Sequence, residues 1–228
     1  MEKRVALWDE MSGRYDSMFL KRRHLKENGV AVRAVCDLGV RAFDRVLDVG
    51  CGTGLLLDEA AWLRPGVNYL GVDISAGMIE MARLKHPLAN WQVADMERIP
   101  GVEDNTFDAI VSLFGSFCYV QDPEEAVSGF WRMLKPGGWL QLQVYGPLFA
   151  YRRRHIIGHV PFMIWNTARG RDLFRAFEDV RVRGFSSVLT TRLGFPFVGL
   201  EASTLGRVWP DMCEYLIIEG RRPDVSLS

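Results

Sequence analysis

Residues 46–54 read V-L-D-V-G-C-G-T-G, from Val46 to Gly54, and the fold of the chain is decided there. Val46, Leu47 and Val49 suit a buried parallel strand, in which apolar residues run almost without alternation. Gly50, Gly52 and Gly54 then crowd one turn, where side chains would obstruct a ligand lying close to the backbone. Leu55 to Leu63 continue at helical spacing, so the loop opens a helix whose first N–H groups are unpaired. Downstream, N-Y-L-G-V-D over 68–73 ends a second strand at Asp73. A carboxylate leaving the second strand of such a unit can accept hydrogen bonds from both hydroxyls of a ribose. A dinucleotide-binding G-x-G-x-x-G loop would need its third glycine at position 55; Leu55 stands there, which points away from NAD.

The pattern extends outward in both directions. Residues 1–40 read as one or two helices, with Leu7, Trp8, Met11, Tyr15, Met18 and Phe19 at helix-like spacing. Strands follow near 45–49, 68–73, 89–94, 107–112 and 138–145, with helices at 54–63, 76–86 and 123–134 between them. Lys135-Pro136-Gly137-Gly138 reads as a helix stop and a tight turn into the fifth strand. Such alternation argues for an α/β fold with a doubly wound, mostly parallel sheet and helices on both faces. After Tyr145 the rhythm breaks. The stretch 146–167 holds Pro147, Phe149, Tyr151, Pro161, Phe162 and Trp165; a helix near 168–178 and a strand near 179–186 follow. A second irregular apolar stretch at 187–210 precedes the last strand, near 212–220.

Composition bounds the function. At 228 residues the chain fits one elaborated domain, and 48% hydrophobic with 25% charged residues is ordinary for a globular protein. Lys+Arg and Asp+Glu both total 28, so no overall field favours nucleic acid or a membrane surface. Cys36, Cys51, Cys118 and Cys213 are scattered without a C-x-x-C pair, which reads as reduced thiols in a cytoplasmic protein. The first residues, M-E-K-R-V-A-L-W, lack an apolar signal core, and no apolar run is long enough to span a bilayer.

Asp48 to Gly54 resembles motif I of the class I S-adenosylmethionine-dependent methyltransferases, and Asp73 resembles their ribose-binding acidic residue. The resemblance continues through G-V-D-I-S-A-G-M-I-E-M-A-R (71–83), A-D-M-E-R-I-P (94–100), F-D-A-I-V-S (107–112) and M-L-K-P-G-G (133–138), in the family's order and over roughly half the chain. It implies a Rossmann-like sheet of seven strands whose last strand is antiparallel, S-adenosyl-L-methionine as cofactor and S-adenosyl-L-homocysteine as product. Residues 1–228 then form a single domain with an N-terminal helical cap over 1–40.

The resemblance carries over to particular residues. Gly50, Cys51 and Gly52 would let backbone approach the methionine part of the cofactor, Asp73 would hold the ribose, and Ile74 and Met78 would pack on adenosine. Asp95 would accept from the adenine amino group, with Met96 offering its N–H; a turn or helix cap is the alternative for Asp95. Asp48 has two open readings, facing the methionine end or serving only as a partner within the glycine loop. Ser112 to Asp122 would line the passage to the acceptor, with Phe114 beside the cofactor and Phe117 as a wall. Relatives often carry histidine there, whereas this chain has Cys118 and Tyr119.

Tyr15, Phe117, Tyr119, Phe162 and Trp165 are the candidate acceptor-binding residues. The stretches 146–167 and 187–210 read as substrate covers, with core filler as the other reading. The catalytic candidates are His155, His159 and Tyr119, with one of the two histidines as the candidate general base. His155 and His159 lack a third ligand for a metal, so no metal is expected. His24 and His86 read as exposed, and Arg152 to His155 as a solvated face or a contact to an acidic acceptor.

The function expected is methyl transfer to a small-molecule acceptor by in-line displacement. The alternatives are a non-catalytic cofactor-binding or regulatory protein of the same fold and a nicotinamide oxidoreductase. Zero net charge and the absence of an N/D-P-P-Y signature after the fourth strand disfavour nucleic acid as acceptor.

Overall fold

The computed structural model describes residues 2–18, 22–38, 45–58, 66–149, 160–187 and 205–224. Strands β1 (Arg45–Val49), β2 (Asn68–Asp73), β3 (Asn90–Val93), β4 (Phe107–Ser112), β5 (Leu134–Tyr145), β6 (Glu178–Ser187) and β7 (Cys213–Arg221) form one sheet in the order β3-β2-β1-β4-β5-β7-β6. β7 alone runs against its neighbours, pairing antiparallel with both β5 and β6. The order reverses between β1 and β4, so a crevice opens beyond their carboxyl ends.

Helices α1 (Glu2–Met11), α2 (Tyr15–Met18), α3 (Arg22–Cys36), α4 (Leu55–Asp58), α5 (Ala76–Lys85), α6 (Pro123–Met133), α7 (Thr167–Leu173) and α8 (Leu205–Val208) surround the sheet. Local chemistry sets their starts. The Ser75 hydroxyl accepts from Met78 N–H at α5, Asp122 from Glu125 N–H at α6 with Pro123 next, and Asn166 from Arg169 N–H at α7. Each such cap contributes about 1 kcal/mol.

Alternate β1 residues face opposite sides of the sheet. Leu47 and Val49 join Val72, Ile110, Phe130 and Leu140 in the larger core, while Val46 joins Tyr69, Val111 and, from α3, Val32 and Val35 in the other. Two buried glutamines of β5 fasten α3 as well, Gln141 and Gln143 donating to the Ala34 and Ala31 carbonyls at 3.0 and 2.8 Å.

The structure moves two boundaries. β5 begins at Leu134, which is already extended (φ −68°, ψ 144°) where α6 ends, so Lys135 to Gly138 form an irregular start of the strand. Gly137 takes φ +77° there, and the pairing register with β4 shifts between Phe107 and Ala109. In the N-terminal segment, α1 and α2 bury no residue, although Leu7 and Trp8 pack partly on the core. Phe19 and residues 59–65 lie outside the described residues.

Among the described residues no helix is long and apolar enough to cross a membrane.

Candidate active site

A cavity of about 940 Å³, its mouth included, opens at the carboxyl ends of β1, β2 and β4. Asp48, Gly50, Cys51, Gly52, Asp73, Ile74, Met78, Asp95, Met96 and Phe114 all line it. Tertiary structure thus brings the glycine loop, the end of β2, the start of α5 and the turns after β3 and β4 to one place.

The glycine loop owes its shape to backbone angles that only glycine adopts freely. Gly50 and Gly52 take φ +70° and +55°. A Cβ built at Gly52 would meet nothing within 4 Å, so this position faces open space in the cavity. Gly52 N–H donates to Asp73 Oδ2 and Ser75 N–H to Asp73 Oδ1, both at 2.9 Å. The carboxylate therefore holds the loop in place as well as facing the cavity. Burial raises its pKa, opposed by the N–H donors of Ser75, Gly52 and Ile74, with Asp9 adding to the rise.

Asp48 is 2% exposed in the middle of β1. Its Oδ2 accepts from the Tyr69 hydroxyl at 2.8 Å, while Oδ1 is buried without a hydrogen-bond partner. Burial pushes this carboxyl up to about 7; the Tyr69 hydrogen bond works against that rise and the Asp73 charge adds to it. A buried acceptor left free beside a cavity is costly unless something entering the cavity satisfies it.

The N-terminal segment crosses the mouth and contributes Arg4, Trp8 and Tyr15 to the lining. Three polar tethers hold it. Arg4 donates to the Tyr119 carbonyl and lies 3.6 Å from both Asp95 and Glu97. Asp9 accepts from the Ser75 hydroxyl at 2.5 Å and Gly77 N–H at 3.0 Å. Asp16 accepts from the Thr53 hydroxyl at 2.5 Å and Lys85 Nζ at 2.9 Å.

Beyond the glycine loop the wall is aromatic. Trp8 packs edge-on against Tyr15 and Tyr119, and Tyr119 against Tyr145, at ring separations of 6.3, 5.3 and 6.2 Å. The left-handed Phe114 (φ +51°) holds its ring at the same wall. The buried Tyr119 hydroxyl is turned toward that of Tyr145. Burial drives the Tyr15 and Tyr119 phenols far above their usual range. Both stay neutral at physiological pH.

Phe117, Phe162 and Trp165 do not line the cavity. Phe117 and Trp165 are core residues, 0% and 1% exposed, with ring centroids 5.7 Å apart. Phe162 packs behind Tyr119 and Tyr145 at 6.1 and 5.5 Å. The segment 160–166 is bonded along the wall rather than over it: Met163 N–H donates to the Cys118 carbonyl and Trp165 N–H to the Tyr145 carbonyl. Its aromatics are placed by burial, since the large rings fill the space beside β5. His155, His159, Arg152 to Arg154 and most of 187–210 lie outside the described residues.

Asp95 accepts from Glu97 N–H at 3.1 Å in a turn and also lines the cavity. His86 is not the exposed group expected from sequence: Nε2 lies 2.8 Å from Asp58 and the ring leans on Trp91. Sequence reasoning missed Arg4, Tyr145 and the Tyr69 hydroxyl. Arg4 stands 115 residues from the carbonyl it meets, and no local pattern signals that contact.

Comparison with known proteins agrees with this geometry. Residues 47–142 match the family model described as a methyltransferase domain. The chain is 33% identical to the demethylmenaquinone methyltransferase of Symbiobacterium thermophilum over 202 residues, 84% of this chain and 78% of that protein. It is also 33% identical over 120 residues to the biotin biosynthesis bifunctional protein BioHC of Teredinibacter turnerae; the match takes in 48% of this chain but only 21% of that longer protein. Among solved structures, a possible histamine N-methyltransferase of Thermotoga maritima shares the fold, with a TM-score of 0.71, 20% identity and coverage of 96% of this chain and 99% of that one.

Proposed function

From the premise that the chain belongs to the class I S-adenosylmethionine-dependent methyltransferases, we propose that it transfers the methyl group of S-adenosylmethionine to a small-molecule acceptor inside the roofed cavity. The bound cofactor supplies an electrophilic methyl group on a sulfonium sulfur. The protein's task is then to align the acceptor in line behind that methyl and to exclude water.

The observation that carries the reading is a single cavity bringing together the glycine loop, the Asp73 carboxylate and the free oxygen of Asp48. In this reading Asp48 faces the cationic methionine end. Asp73 keeps acceptor capacity for the ribose beside that used by the Gly52, Ser75 and Ile74 N–H groups, since a carboxylate has about four acceptor sites. Ile74 and Met78 pack on adenosine, and Asp95 with Met96 meets the adenine edge.

The acceptor lies against Trp8, Tyr15, Tyr119 and Tyr145, whose rings form the wall. With both phenols held neutral, the described residues favour an acceptor that brings its own lone pair, such as a neutral amine or an already ionised oxygen. A roof formed by the N-terminal segment suits a small molecule better than a macromolecule. Four thiols outside any disulfide accord with a cytoplasmic location.

The direct test is formation of S-adenosylhomocysteine when the protein is given S-adenosylmethionine and a fractionated small-metabolite extract; no product from any fraction would refute the catalytic reading. For the site, Asp73→Ala is expected to weaken S-adenosylmethionine binding by about 1.5–3 kcal/mol, the scale of losing hydrogen bonds to a charged group. The same change strips the acceptors from Gly52 and Ser75 N–H, so the melting temperature should fall too. Calorimetry at a temperature where the variant remains folded separates the effects, and an unchanged affinity there would remove Asp73 from the site.

A further inference from the structure

β2 carries a polar group that the proposed function leaves without a task. Tyr69 is 3% exposed, and its ring packs edge-on against Trp91 at 5.5 Å. It does not line the cavity, yet its hydroxyl reaches Asp48 Oδ2 at 2.8 Å. The register explains the reach. Val46 pairs with Tyr69 and Asp48 with Gly71, so Tyr69 lies on the Asp48 face, diagonal to it across the β1–β2 pair. Gly71, directly opposite Asp48, puts no side chain between them.

We propose that Tyr69 is a positioning residue: its hydroxyl fixes the Asp48 carboxylate through Oδ2, so that the partnerless Oδ1 is presented, ionised, to the cationic end of the cofactor. This rests on the S-adenosylmethionine reading of the cavity.

The geometry leaves the carboxylate few other options. With Oδ2 bound to Tyr69, the side chain has one orientation and one free oxygen. The other ionisable groups near it are Asp73 at the end of β2 and Cys51 in the glycine loop, both of which act on it as neutral or negative neighbours. β4, on the other side of β1, offers Val111 at the Asp48 register. Arg4, Tyr15, Asp95, Tyr119 and Tyr145 share the cavity lining. Tyr69 is thus the neighbour whose hydrogen bond favours the charged form, against burial that disfavours it.

The sign follows. A cationic ligand selects the ionised carboxylate, so affinity rises as pH rises through the Asp48 pKa, near 7 in the free protein. Losing the Tyr69 hydroxyl moves that pKa up, and the rise in affinity moves with it. The loss is therefore large at low pH and recovered at high pH.

The experiment is calorimetric titration of wild type, Tyr69→Phe and Asp48→Asn with S-adenosylhomocysteine, whose ammonium stays charged across pH 6.5–8.5. For an upward move of about one unit, Tyr69→Phe should bind roughly eight-fold more weakly than wild type at pH 6.5 and within about 1.5-fold at pH 8.5. Asp48→Asn should be weak and independent of pH over the same range. A Tyr69→Phe loss equal at every pH would make Tyr69 merely structural, and an unchanged affinity would remove it from any role; either result overturns the inference while leaving the cofactor site standing. No binding by wild type at any pH would overturn the cofactor reading itself, and this inference with it. Should Tyr69→Phe fail to fold by its thermal melt, Tyr69→Met, smaller but flexible enough to repack the site and without the hydroxyl, gives the same discriminating pH profile.

Discussion

Gly52→Val is expected to lose at least about a hundred-fold in affinity for S-adenosylhomocysteine, corresponding to roughly 3 kcal/mol. Two effects combine. A β-branched residue at φ +55° strains the backbone by about 1–3 kcal/mol. The side chain also points into open cavity space, where a Cβ has no protein atom within 4 Å and where the ligand would lie. If the backbone shifts to relieve the strain, Gly52 N–H moves from Asp73, and the carboxylate loses its alignment. Gly101→Val is the control. Gly101 also has positive φ, +74°, with nothing near its Cβ, but does not line the cavity. It should show comparable loss of stability with unchanged affinity. A folded Gly52→Val protein that binds as well as wild type would show that the loop does not cradle the cofactor.

Trp165→Ala should destabilise the protein by about 3–5 kcal/mol, the range for removing a large buried aromatic. At this chain length that lowers the melting temperature by on the order of 10 °C. The ring is 1% exposed, lies 5.7 Å from Phe117 and sits beneath the Arg169 guanidinium at 4.3 Å. Because it does not line the cavity, affinity for S-adenosylhomocysteine should stay within about three-fold, as expected for sites without shared partners. Phe162→Ala should behave differently. That ring is half-buried behind Tyr119 and Tyr145, so its loss should cost less stability and disturb turnover through the wall it supports. An unchanged melt with impaired turnover in Trp165→Ala would put the indole over the substrate instead.

The aromatic segment shows how sequence reading and structure part company. Phe162 and Trp165 are apolar residues in an irregular stretch, and the same composition serves a substrate cover or core filler. Only the partners decide. The bonds from Met163 and Trp165 N–H to the Cys118 and Tyr145 carbonyls lay the segment along the wall and turn Trp165 inward. At the glycine loop no such ambiguity arose, because positive φ angles, a strand end and a helix start are all local demands that the residue types reveal.

The sequence by itself determined the succession of elements: the buried strand to Val49, the glycine loop, the strand ending at Asp73, the helix stop before the fifth strand and the alternation that argues for a doubly wound sheet. These follow from periodicity and turn chemistry, which act over a few residues. The tertiary structure alone decided that Arg4 reaches the carbonyl of Tyr119 and that Asp9 helps cap α5. It also decided that the Tyr69 hydroxyl donates to Asp48. Those contacts join residues 115, 68 and 21 positions apart. Such pairings depend on which strands lie side by side and on how burial raises the cost of an unpaired charge, and neither is written in any local stretch of the chain.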